Sequence, residues 1–543
     1  MSLKKLTVGE LLEEQAKLYP DHEAVIYPEL NLRKTYREFN EMTDQVAKGF
    51  MSLGVEKGEN VAIWADNKPE WLTSQFATGR MGAVLVTVNT SYLAKELEYL
   101  LKQSEATTLI MAETFKGTSY VDVLKQVCPE LENAEKGQLS SKILPHLKNI
   151  IIISDKNYSF AYTWNELMGK AITNHSKELE ERKKALHHDD VINMQYTSGT
   201  TGFPKGVMLT HSNVVNNGDK IADCMKLTYK DRLCIPVPFF HCFGCVLGVL
   251  AAVSKGATMV ILEQFNAEKV LQAVAEEKCT ALHGVPTMFI AELNLPDFKS
   301  YDLSQLRTGI MAGSTCPMEV MTDVMNKMGA KEITIAYGQT ESSPVITQTR
   351  TNDPIGLKVS TVGKPHPNVE VCIIIPGTSD KQEIGIPGEL LTRGYHVMKG
   401  YYNNEEATNE VIDENGWLHT GDLAVMHDNG YIEITGRMKD MIIRGGENIY
   451  PREIEEFLYQ YPDVLDVQVI GVPDAKYGEE AMAFIILKDN KKTTLNDIRG
   501  FCEGNISRHK IPKYIKFIDE YPMTASGKIQ KFKLKEIALQ QHE

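Results

Sequence analysis

The sequence predicts an α/β protein with a large N-terminal domain of helix-covered parallel sheets plus a β-barrel-like subdomain, followed by a small α+β C-terminal domain. Three observations predict this class. The 543 residues are far too many for one compact core. Apolar, β-rich runs alternate with helical patterns from the start of the chain, as in parallel sheets covered by helices. From Val369 onward, short β-like segments separated by glycine turns replace that alternation.

Local patterns predict the elements of the large domain. A capped amphipathic helix is expected to start near Thr7. The charged stretch Asn174–Asp190 predicts a polar surface helix or linker, followed by a strand at Val191–Gln195. Four earlier apolar runs predict buried strands, namely Asn60–Trp64, Ala83–Val88, Thr108–Met111 and Ile150–Ser154.

The end of the chain has a different organisation. The segments VEVCIII, GELLTRG and GYIEITG predict the smaller β-rich subdomain. The charged, turn-prone stretch Arg437–Asp440 then places the main boundary between residues 436 and 437, which gives domains 1–436 and 437–543. Five elements are predicted beyond it: a helix at Pro451–Tyr459, strands at Val464–Val472 and Glu480–Leu487, a helix at Leu495–Asn505 and a strand at Tyr514–Phe517.

Composition and charge narrow the functional class. The net charge of −14 argues against a general nucleic-acid binder, because phosphate binding needs a positive surface field. A nucleotide ligand stays possible, since it needs only a few local donors. The N-terminus lacks the apolar stretch of a secretory signal, and the longest apolar runs, Ile150–Ile153 and Val246–Val253, are too short to cross a bilayer.

The nine cysteines are scattered and odd in number, which favours a reducing cytoplasm over a disulfide framework. Cys242 and Cys245 have C-x-x-C spacing directly after His241, so a zinc or redox site is one interpretation. No second ligand pair follows, and the surroundings are strongly apolar. We therefore interpret the pair as buried cysteines in a hydrophobic wall.

The segment Tyr196–Gly206 is the clearest local feature. It joins two predicted strands and contains three glycines, four threonine or serine side chains and Lys205 within eleven residues. Glycines allow backbone N–H groups to converge on an anion, while hydroxyls and a lysine add donors and charge. This inventory suits a polyphosphate, although a polar surface loop would share the composition. The segment is not a Walker A loop, because its lysine lacks the required neighbours.

The loop resembles the phosphate-binding signature of the adenylate-forming superfamily, which contains acyl-CoA synthetases, beetle luciferases and nonribosomal peptide adenylation domains. Further motifs of that superfamily follow in order along the chain. They are Tyr337–Glu341 (YGQTE), Gly416–Asp422 (GWLHTGD), the hinge Gly436–Asp440 (GRMKD), Arg444–Pro451 (RGGENIYP) and Ser526–Lys528 (SGK).

The resemblance assigns a task to the loop and to the YGQTE motif. The loop would hold the β- and γ-phosphates of ATP and is expected to be mobile. Glu341, together with Thr200, would bind the Mg²⁺ that bridges the phosphates, because a hard cation prefers oxygen ligands. The expected phosphate-binding residues are Thr197, Ser198, Gly199, Thr200, Thr201, Gly202 and Lys205.

The same resemblance implies contacts to the nucleoside. Tyr337 would stack on adenine, with Gly313 and Ser314 at its edge, and Thr340 would hydrogen-bond the α-phosphate. Asp422 would accept hydrogen bonds from the ribose hydroxyls, for which a carboxylate is well suited. The complete expected group is Gly313, Ser314, Tyr337, Gly338, Gln339, Thr340, Asp422 and Arg437, the last reaching the ribose or a phosphate.

Two lysines would divide the two half-reactions. Lys528 would stabilise the charge that develops when a carboxylate attacks the α-phosphate. The C-terminal domain would then rotate at Lys439, and Gly445 and Gly446 would line the tunnel for the pantetheine arm of coenzyme A. His241 matches an aromatic or histidine position that borders the acyl site.

The resemblance thus implies an AMP-forming acyl-CoA synthetase that uses ATP, Mg²⁺ and coenzyme A. The apolar stretch after His241 and the wall Gly284–Phe289 favour a fatty acid, and the segment Lys439–Pro451 is most similar to medium-chain fatty acyl-CoA synthetases. An aryl-CoA ligase is the first alternative. A luciferase-type adenylating oxygenase and a non-catalytic nucleotide-binding protein are further ones. Acyl chain length and oligomeric state stay open, a homodimer being one option.

Overall fold

A computed structural model describes residues 2–171, 175–197, 204–314, 316–445, 447–489, 491–524 and 529–540. By its contacts the chain divides into two units, one of residues 1–370 and 392–418, the other of residues 371–391 and 419–543. The main domain boundary at 436/437 stays a prediction. Within the described ranges, no helix is both long and apolar enough to cross a membrane.

The described α-helices have the following bounds: α1 Val8–Leu18, α2 Tyr36–Ser52, α3 Pro69–Met81, α4 Ala94–Gln103, α5 Tyr120–Val127, α6 Trp164–Lys170, α7 Ser176–Lys184, α8 His211–Met225, α9 Ala251–Ser254, α10 Ala267–Glu276, α11 Pro286–Leu293, α12 Met318–Lys327, α13 Ile355–Ser360, α14 Glu405–Val411, α15 Pro451–Leu458, α16 Leu495–Cys502 and α17 Lys531–Leu539. A π-helix, Phe243–Leu250, runs directly into α9.

The described strands have the following bounds: β1 Glu23–Tyr27, β2 Leu32–Thr35, β3 Asn60–Trp64, β4 Val84–Thr87, β5 Thr108–Ala112, β6 Thr114–Phe115, β7 Thr118–Ser119, β8 Asn149–Ile153, β9 Tyr162–Thr163, β10 Val191–Thr197, β11 Lys205–Thr210, β12 Arg232–Ile235, β13 Thr258–Ile261, β14 Ala281–Gly284, β15 Thr308–Ala312, β16 Thr334–Gly338, β17 Val345–Gln348, β18 Lys364–Pro365, β19 Val369–Ile374, β20 Gly388–Gly394, β21 Gly400–Tyr401, β22 Leu418–Met426, β23 Ile432–Arg437, β24 Ile442–Arg444, β25 Glu447–Ile449, β26 Val464–Asp474, β27 Gly478–Leu487 and β28 Tyr514–Phe517.

Two sheets with parallel centres form the frame of the first unit. One has the order β18-β17-β16-β15-β14-β12-β13-β1-β2, and the other has the order β21-β11-β10-β4-β3-β5-β8-β9. Central strands such as β3 are buried along their whole length, because helices cover both faces of a parallel sheet. At the N-terminus, Thr7 caps α1 and forms a capping box with Glu10. The predicted helix-covered parallel sheets are confirmed.

Asn67 connects the two sheets at the carboxyl ends of their strands. It follows β3, and its Nδ2 donates to Val237 O and to Leu262 O, both over 3.0 Å. Its Oδ1 accepts from the backbone N–H of Phe239 over 2.7 Å. These partners belong to the loops after β12 and β13, so one buried amide holds three loops together where parallel sheets place their ligands.

The second unit contains the predicted α+β module. Its five-stranded sheet is built on the β26–β27 antiparallel pair, with β24 and β25 on one side and β28 parallel to β27. Helices α15 and α16 contribute Ile454 and Ile498 to its core. All five elements predicted beyond residue 450 are present, with shifts of a few residues at their ends.

A four-stranded sheet of order β19-β20-β22-β23 corresponds to the predicted β-rich subdomain. The division between the units falls within β19, β20 and β22. The described strands of this subdomain pair in one sheet of four strands.

Candidate active site

Strands β10 and β11 carry the two ends of the expected phosphate loop. They pair antiparallel, and Thr197 lies opposite Lys205 at the end of the ladder. The two predicted strands are therefore present and are joined by backbone hydrogen bonds. The expected loop residues Ser198, Gly199, Thr200, Thr201 and Gly202 lie outside the described residues.

Glu341 lies beside the end of that loop. Its Oε1 accepts a hydrogen bond from Thr197 Oγ1 over 3.3 Å and another from the hydroxyl of Tyr401 over 2.9 Å. The Lys205 ammonium lies 4.9 Å from the centre of the Tyr401 ring, as in a cation–π contact. The Glu341 carboxylate, the Thr197 and Tyr401 hydroxyls and the Lys205 ammonium therefore lie close together where the β10–β11 ladder ends.

Tyr401 is a site residue that the sequence did not predict. It belongs to β21, which pairs antiparallel with β11 so that Tyr401 lies opposite Val207. Burial raises the pKa of Tyr401, and the nearby Glu341 carboxylate raises it further. The hydroxyl of Tyr401 therefore stays protonated and can donate a hydrogen bond. The local signal was only the Gly400-Tyr401-Tyr402 run, which does not indicate a partner so distant in sequence.

The oxygen donors at this position fit a hard divalent cation. A carboxylate and threonine hydroxyls are ligands that Mg²⁺ prefers. Glu341 is held on the short 3₁₀ turn Thr340–Ser342, and its own carbonyl accepts from the N–H of Met398 over 2.9 Å. Its backbone is therefore fixed before any ligand binds. The other expected metal ligand, Thr200, lies among the undescribed loop residues.

The expected adenine-binding residues lie at the ends of two neighbouring parallel strands. Ala312 pairs with Ala336 in the β15–β16 ladder, so Gly313 and Tyr337 follow at the same edge. Gly313 has φ +96°, which favours glycine, and Ser314 beside it is exposed. Tyr337 is half-buried. The ladder thus places Gly313 and Tyr337 at one edge of the sheet, and their contacts to adenine stay predictions.

The turn after β16 depends on a glycine. A Cβ on Gly338 would lie 1.8 Å from the carbonyl oxygen of Pro344, so no other residue fits. Gln339 N–H donates to Ser342 Oγ over 3.0 Å and closes the 3₁₀ turn, in which Thr340 is buried. The YGQTE segment is thereby held as one compact turn between β16 and β17.

In the second unit, Asp422 and Arg437 are paired. They lie opposite each other in the β22–β23 ladder, and Arg437 Nε lies 3.2 Å from Asp422 Oδ1. Asp422 is buried, whereas Arg437 is exposed. Lys439 is exposed on the 3₁₀ turn Met438–Asp440 that follows.

The remaining expected residues of the second unit are placed in part. Gly445 is exposed with φ +59°, and its N–H donates to the carbonyl of Tyr477 over 2.8 Å. Arg444 stacks over the ring of Tyr477 with 4.0 Å between its guanidinium carbon and the ring centre. Gly446 and Lys528 lie outside the described residues.

His241 begins the apolar stretch that was expected to border the acyl site. It is half-buried, and its Nδ1 accepts from the N–H of Phe243 over 3.1 Å, which leaves the proton of the neutral ring on Nε2. The following π-helix is completely buried. Cys245, Val246 and Leu250 line a cavity of about 10 Å³, the room of one water molecule rather than an alkyl chain. A tunnel in this stretch remains a prediction.

The C-x-x-C pair is buried, as interpreted from the sequence. No disulfide joins any of the nine cysteines, all of which lie in the described ranges. Cys242 Sγ donates to Gln195 Oε1 over 3.0 Å, and Gln195 Nε2 donates to Cys245 Sγ over 3.1 Å. Gln195 is a further residue near the site that sequence patterns did not indicate.

A family model described as "AMP-binding enzyme" matches residues 12–402, and one described as "AMP-binding enzyme C-terminal domain" matches residues 453–528. The chain belongs to the AMP-binding enzyme family. This AMP-binding enzyme is 61% identical over 532 residues to the acyl-CoA synthetase homologue YngI of Bacillus subtilis (strain 168), covering 98% of this chain and 96% of YngI. It is 42% identical over 540 residues to the mitochondrial medium-chain acyl-CoA ligase ACSF2 of Homo sapiens, covering 98% of this chain and 88% of ACSF2.

Among solved structures, the AMP-binding enzyme is similar to the anthranilate CoA ligase AuaEII in complex with anthranoyl-AMP. The TM-score is 0.85 at 26% identity, covering 100% of this chain and 99% of that chain. The predicted superfamily, α/β fold class and acyl-CoA synthetase class of enzyme are confirmed. The roles of individual site residues stay predictions.

Proposed function

We propose that this AMP-binding enzyme activates a medium-chain fatty acid with ATP as an acyl-adenylate and then transfers the acyl group to coenzyme A. The observation that carries the proposal is the convergence of Thr197, Lys205, Glu341 and Tyr401 at the end of the phosphate loop. The medium-chain choice is supported by the 42% identity to ACSF2, which is named a medium-chain acyl-CoA ligase.

At the polyphosphate end, Lys205 and the loop would contact the β- and γ-phosphates. Glu341 and Thr200 would hold Mg²⁺, which when bound neutralises phosphate charge and orients the leaving pyrophosphate. Tyr401 fixes one oxygen of Glu341, so the carboxylate is oriented before ATP arrives. Preorganisation of this kind lowers the reorganisation needed during reaction.

At the nucleoside end, the edge that carries Gly313 and Tyr337 would hold adenine. The Asp422 carboxylate would accept from the ribose hydroxyls, with Arg437 beside it as a donor to ribose or phosphate oxygens.

Two lysines of the second unit would serve successive half-reactions. Lys528 would approach the α-phosphate and the attacking carboxylate during adenylation. Rotation at Lys439, next to the 436/437 boundary, would then withdraw Lys528 and bring Gly445 and Gly446 to the pantetheine path. The exposure of Lys439 on a short 3₁₀ turn is compatible with such a pivot.

An aryl-CoA ligase is the second candidate. The similarity to the anthranilate CoA ligase AuaEII, with a TM-score of 0.85, favours it. The two candidates differ at the acyl wall beside His241, where a flat ring and an alkyl chain need different space.

A substrate panel tests the proposal. Straight-chain acids from acetate to palmitate, together with benzoate and anthranilate, would be compared by AMP release with ATP, Mg²⁺ and coenzyme A present. The highest kcat/KM is expected for acids of medium chain length. A preference for benzoate or anthranilate would establish the aryl alternative, and AMP release that does not depend on coenzyme A would contradict the transfer step.

A further inference from the structure

Gln195 connects the phosphate-loop strand to the turn that carries His241. Its side chain is buried in an apolar region, where an amide needs partners for both its oxygen and its nitrogen. Cys242 and Cys245 supply them, one as the donor and the other as the acceptor. We refer to Gln195 with these two cysteines as the glutamine–cysteine seam.

The seam holds the start of the π-helix through the side chains of Cys242 and Cys245. The carbonyl of His241 accepts from the N–H of Gly244 over 2.9 Å and of Cys245 over 3.2 Å, while its ring accepts from Phe243. A side chain that fixes Cys242 and Cys245 therefore fixes both the backbone and the ring of His241. π-Helical turns are wider than α-helical turns and are frequent at functional sites.

The other side of the seam is rigid. Strand β10 pairs with β4 on one side and β11 on the other, and Gln195 lies opposite Thr87 and Val207 in those ladders. Two residues further along the same face of β10 is Thr197, which contacts Glu341. The seam thus ties the His241 turn to the strand that holds the phosphate end of the site.

A second glutamine supports the same turn independently. Gln75 of α3 donates its Nε2 hydrogen to the backbone carbonyl of Cys245 over 3.1 Å. This contact uses a carbonyl rather than a thiol, so it would persist when the seam is removed. Loss of the seam should consequently shift the turn without unfolding it.

We propose that Gln195 is a positioning residue that sets the place of His241, and hence of the carboxylic acid, relative to the bound nucleotide. The proposal rests on the function proposed above. It also gives the C-x-x-C pair a role, since both thiols serve as hydrogen-bond partners of one amide. A shift of the His241 turn changes the acyl side of the site, whereas the ladders of β10 keep the phosphate side in place.

The test compares Gln195→Met with Gln15→Met. Methionine nearly matches glutamine in size and removes both hydrogen bonds, and Gln15 is another buried glutamine, in α1, outside the candidate site. We expect Gln195→Met to raise KM for the acid about fivefold, as the loss of two weak hydrogen bonds predicts. KM for ATP should stay within about twofold, since β10 stays paired on both sides. Gln15→Met should leave both KM values unchanged.

Substitutions at Cys242 provide a second, independent comparison. Cys242→Ser keeps a donor for Gln195 Oε1 and should retain the wild-type KM for the acid. Cys242→Ala leaves that buried oxygen without its donor, so its KM for the acid should be raised as in Gln195→Met. The double variant that combines Gln195→Met with Cys242→Ala should have a KM for the acid no higher than either single variant. The comparison of Cys242→Ser with Cys242→Ala tests the proposal even if Gln195→Met does not fold.

Two outcomes overturn the proposal. One is an acid KM for Gln195→Met and Cys242→Ala equal to that of the wild type, and the other is a parallel rise of the acid and ATP KM values. Failure of the proposed function is a different result, because the wild-type enzyme itself would then form no acyl-CoA from any acid of the panel.

Discussion

The hydroxyl of Tyr401 donates to Glu341 Oε1 over 2.9 Å, at the point where Thr197 contacts the same oxygen. The two residues come from distant parts of the chain, and Met398, shortly before β21, donates its N–H to the carbonyl of Glu341 over 2.9 Å. The carboxylate expected to bind Mg²⁺ is therefore oriented by a phenol that also lies against the ammonium of Lys205. This contact makes Tyr401 part of the candidate phosphate site.

Tyr401→Phe should impair adenylation while sparing the fold. The substitution keeps the ring that Lys205 contacts and removes only the hydrogen bond to Glu341. Hydrogen bonds to charged groups are stronger than those between neutral groups. We therefore expect kcat/KM for ATP–pyrophosphate exchange to fall about tenfold or more. The Mg²⁺ concentration for half-maximal rate should rise as well.

Tyr402→Phe is the matched control for that substitution. Its hydroxyl donates to Glu105 Oε2 over 2.9 Å, in the same unit but away from Glu341. The control should keep the exchange rate and the Mg²⁺ dependence of the wild type. Equal losses in the two variants would show that Tyr401 acts only through stability.

Local patterns were sufficient to predict much of the fold. The fully buried strand β3 and the capping box of Thr7 and Glu10 are encoded by a few adjacent residues, so periodicity and capping signals identify them. Strands β10 and β11 were predicted for the same reason. Tyr401 and Gln195 could not be predicted in this way. Their roles depend on partners distant in sequence, and neither a single tyrosine nor a single glutamine indicates its partner.

Lys528→Ala and Lys439→Pro should separate the two half-reactions. Lys528→Ala removes the cation expected at the α-phosphate, so ATP–pyrophosphate exchange should fall below about 1% of the wild type, the effect of losing preorganised charge stabilisation. Thioester formation from a supplied acyl-adenylate should be largely spared. Lys439→Pro restricts the backbone at the hinge and should spare exchange but block thioester formation.

The control at the hinge is Lys439→Ala, which removes the side chain without restricting φ. It should retain both half-reactions. Equal loss of exchange and thioester formation in Lys528→Ala would contradict the division of work between the two lysines. Loss of both reactions in Lys439→Ala would show that the side chain, rather than rotation, matters at this position.

Asp422→Asn should weaken ATP binding through the ribose. The substitution removes the charge that pairs with Arg437 and weakens the acceptor offered to the ribose hydroxyls. A rise of about tenfold in KM for ATP is expected from the loss of a charged hydrogen-bond acceptor. Asp474→Asn is the control, since Asp474 pairs with Lys513 in the same unit over 2.5 Å. A similar rise in KM for the control would argue against ribose binding by Asp422.

Acid should destabilise the first unit through its buried histidines, and His283 gives the clearest case. Its Nε2 donates to Leu247 O over 3.0 Å and its Nδ1 accepts from Ile310 N–H over 3.2 Å, so both nitrogens are used by the neutral ring. Burial lowers the pKa of His283 to about 4 from 6.5. Below pH 6.5 the unfolded chain binds the proton first, so stability falls as the pH falls towards 4.

His283→Gln should reduce that pH dependence. Glutamine retains a donor for Leu247 O but does not titrate. Between pH 7.5 and pH 5 the variant should therefore lose about 2 kcal/mol less of its free energy of unfolding than the wild type. Unfolding midpoints of the wild type, His283→Gln and the exposed-site control His146→Gln would be measured by calorimetry across this range. The control should follow the wild type. Because His211 and His396 are also buried with lowered pKa values, part of the acid sensitivity should persist in His283→Gln. An unchanged pH dependence in that variant would mean that His283 does not titrate differently on folding.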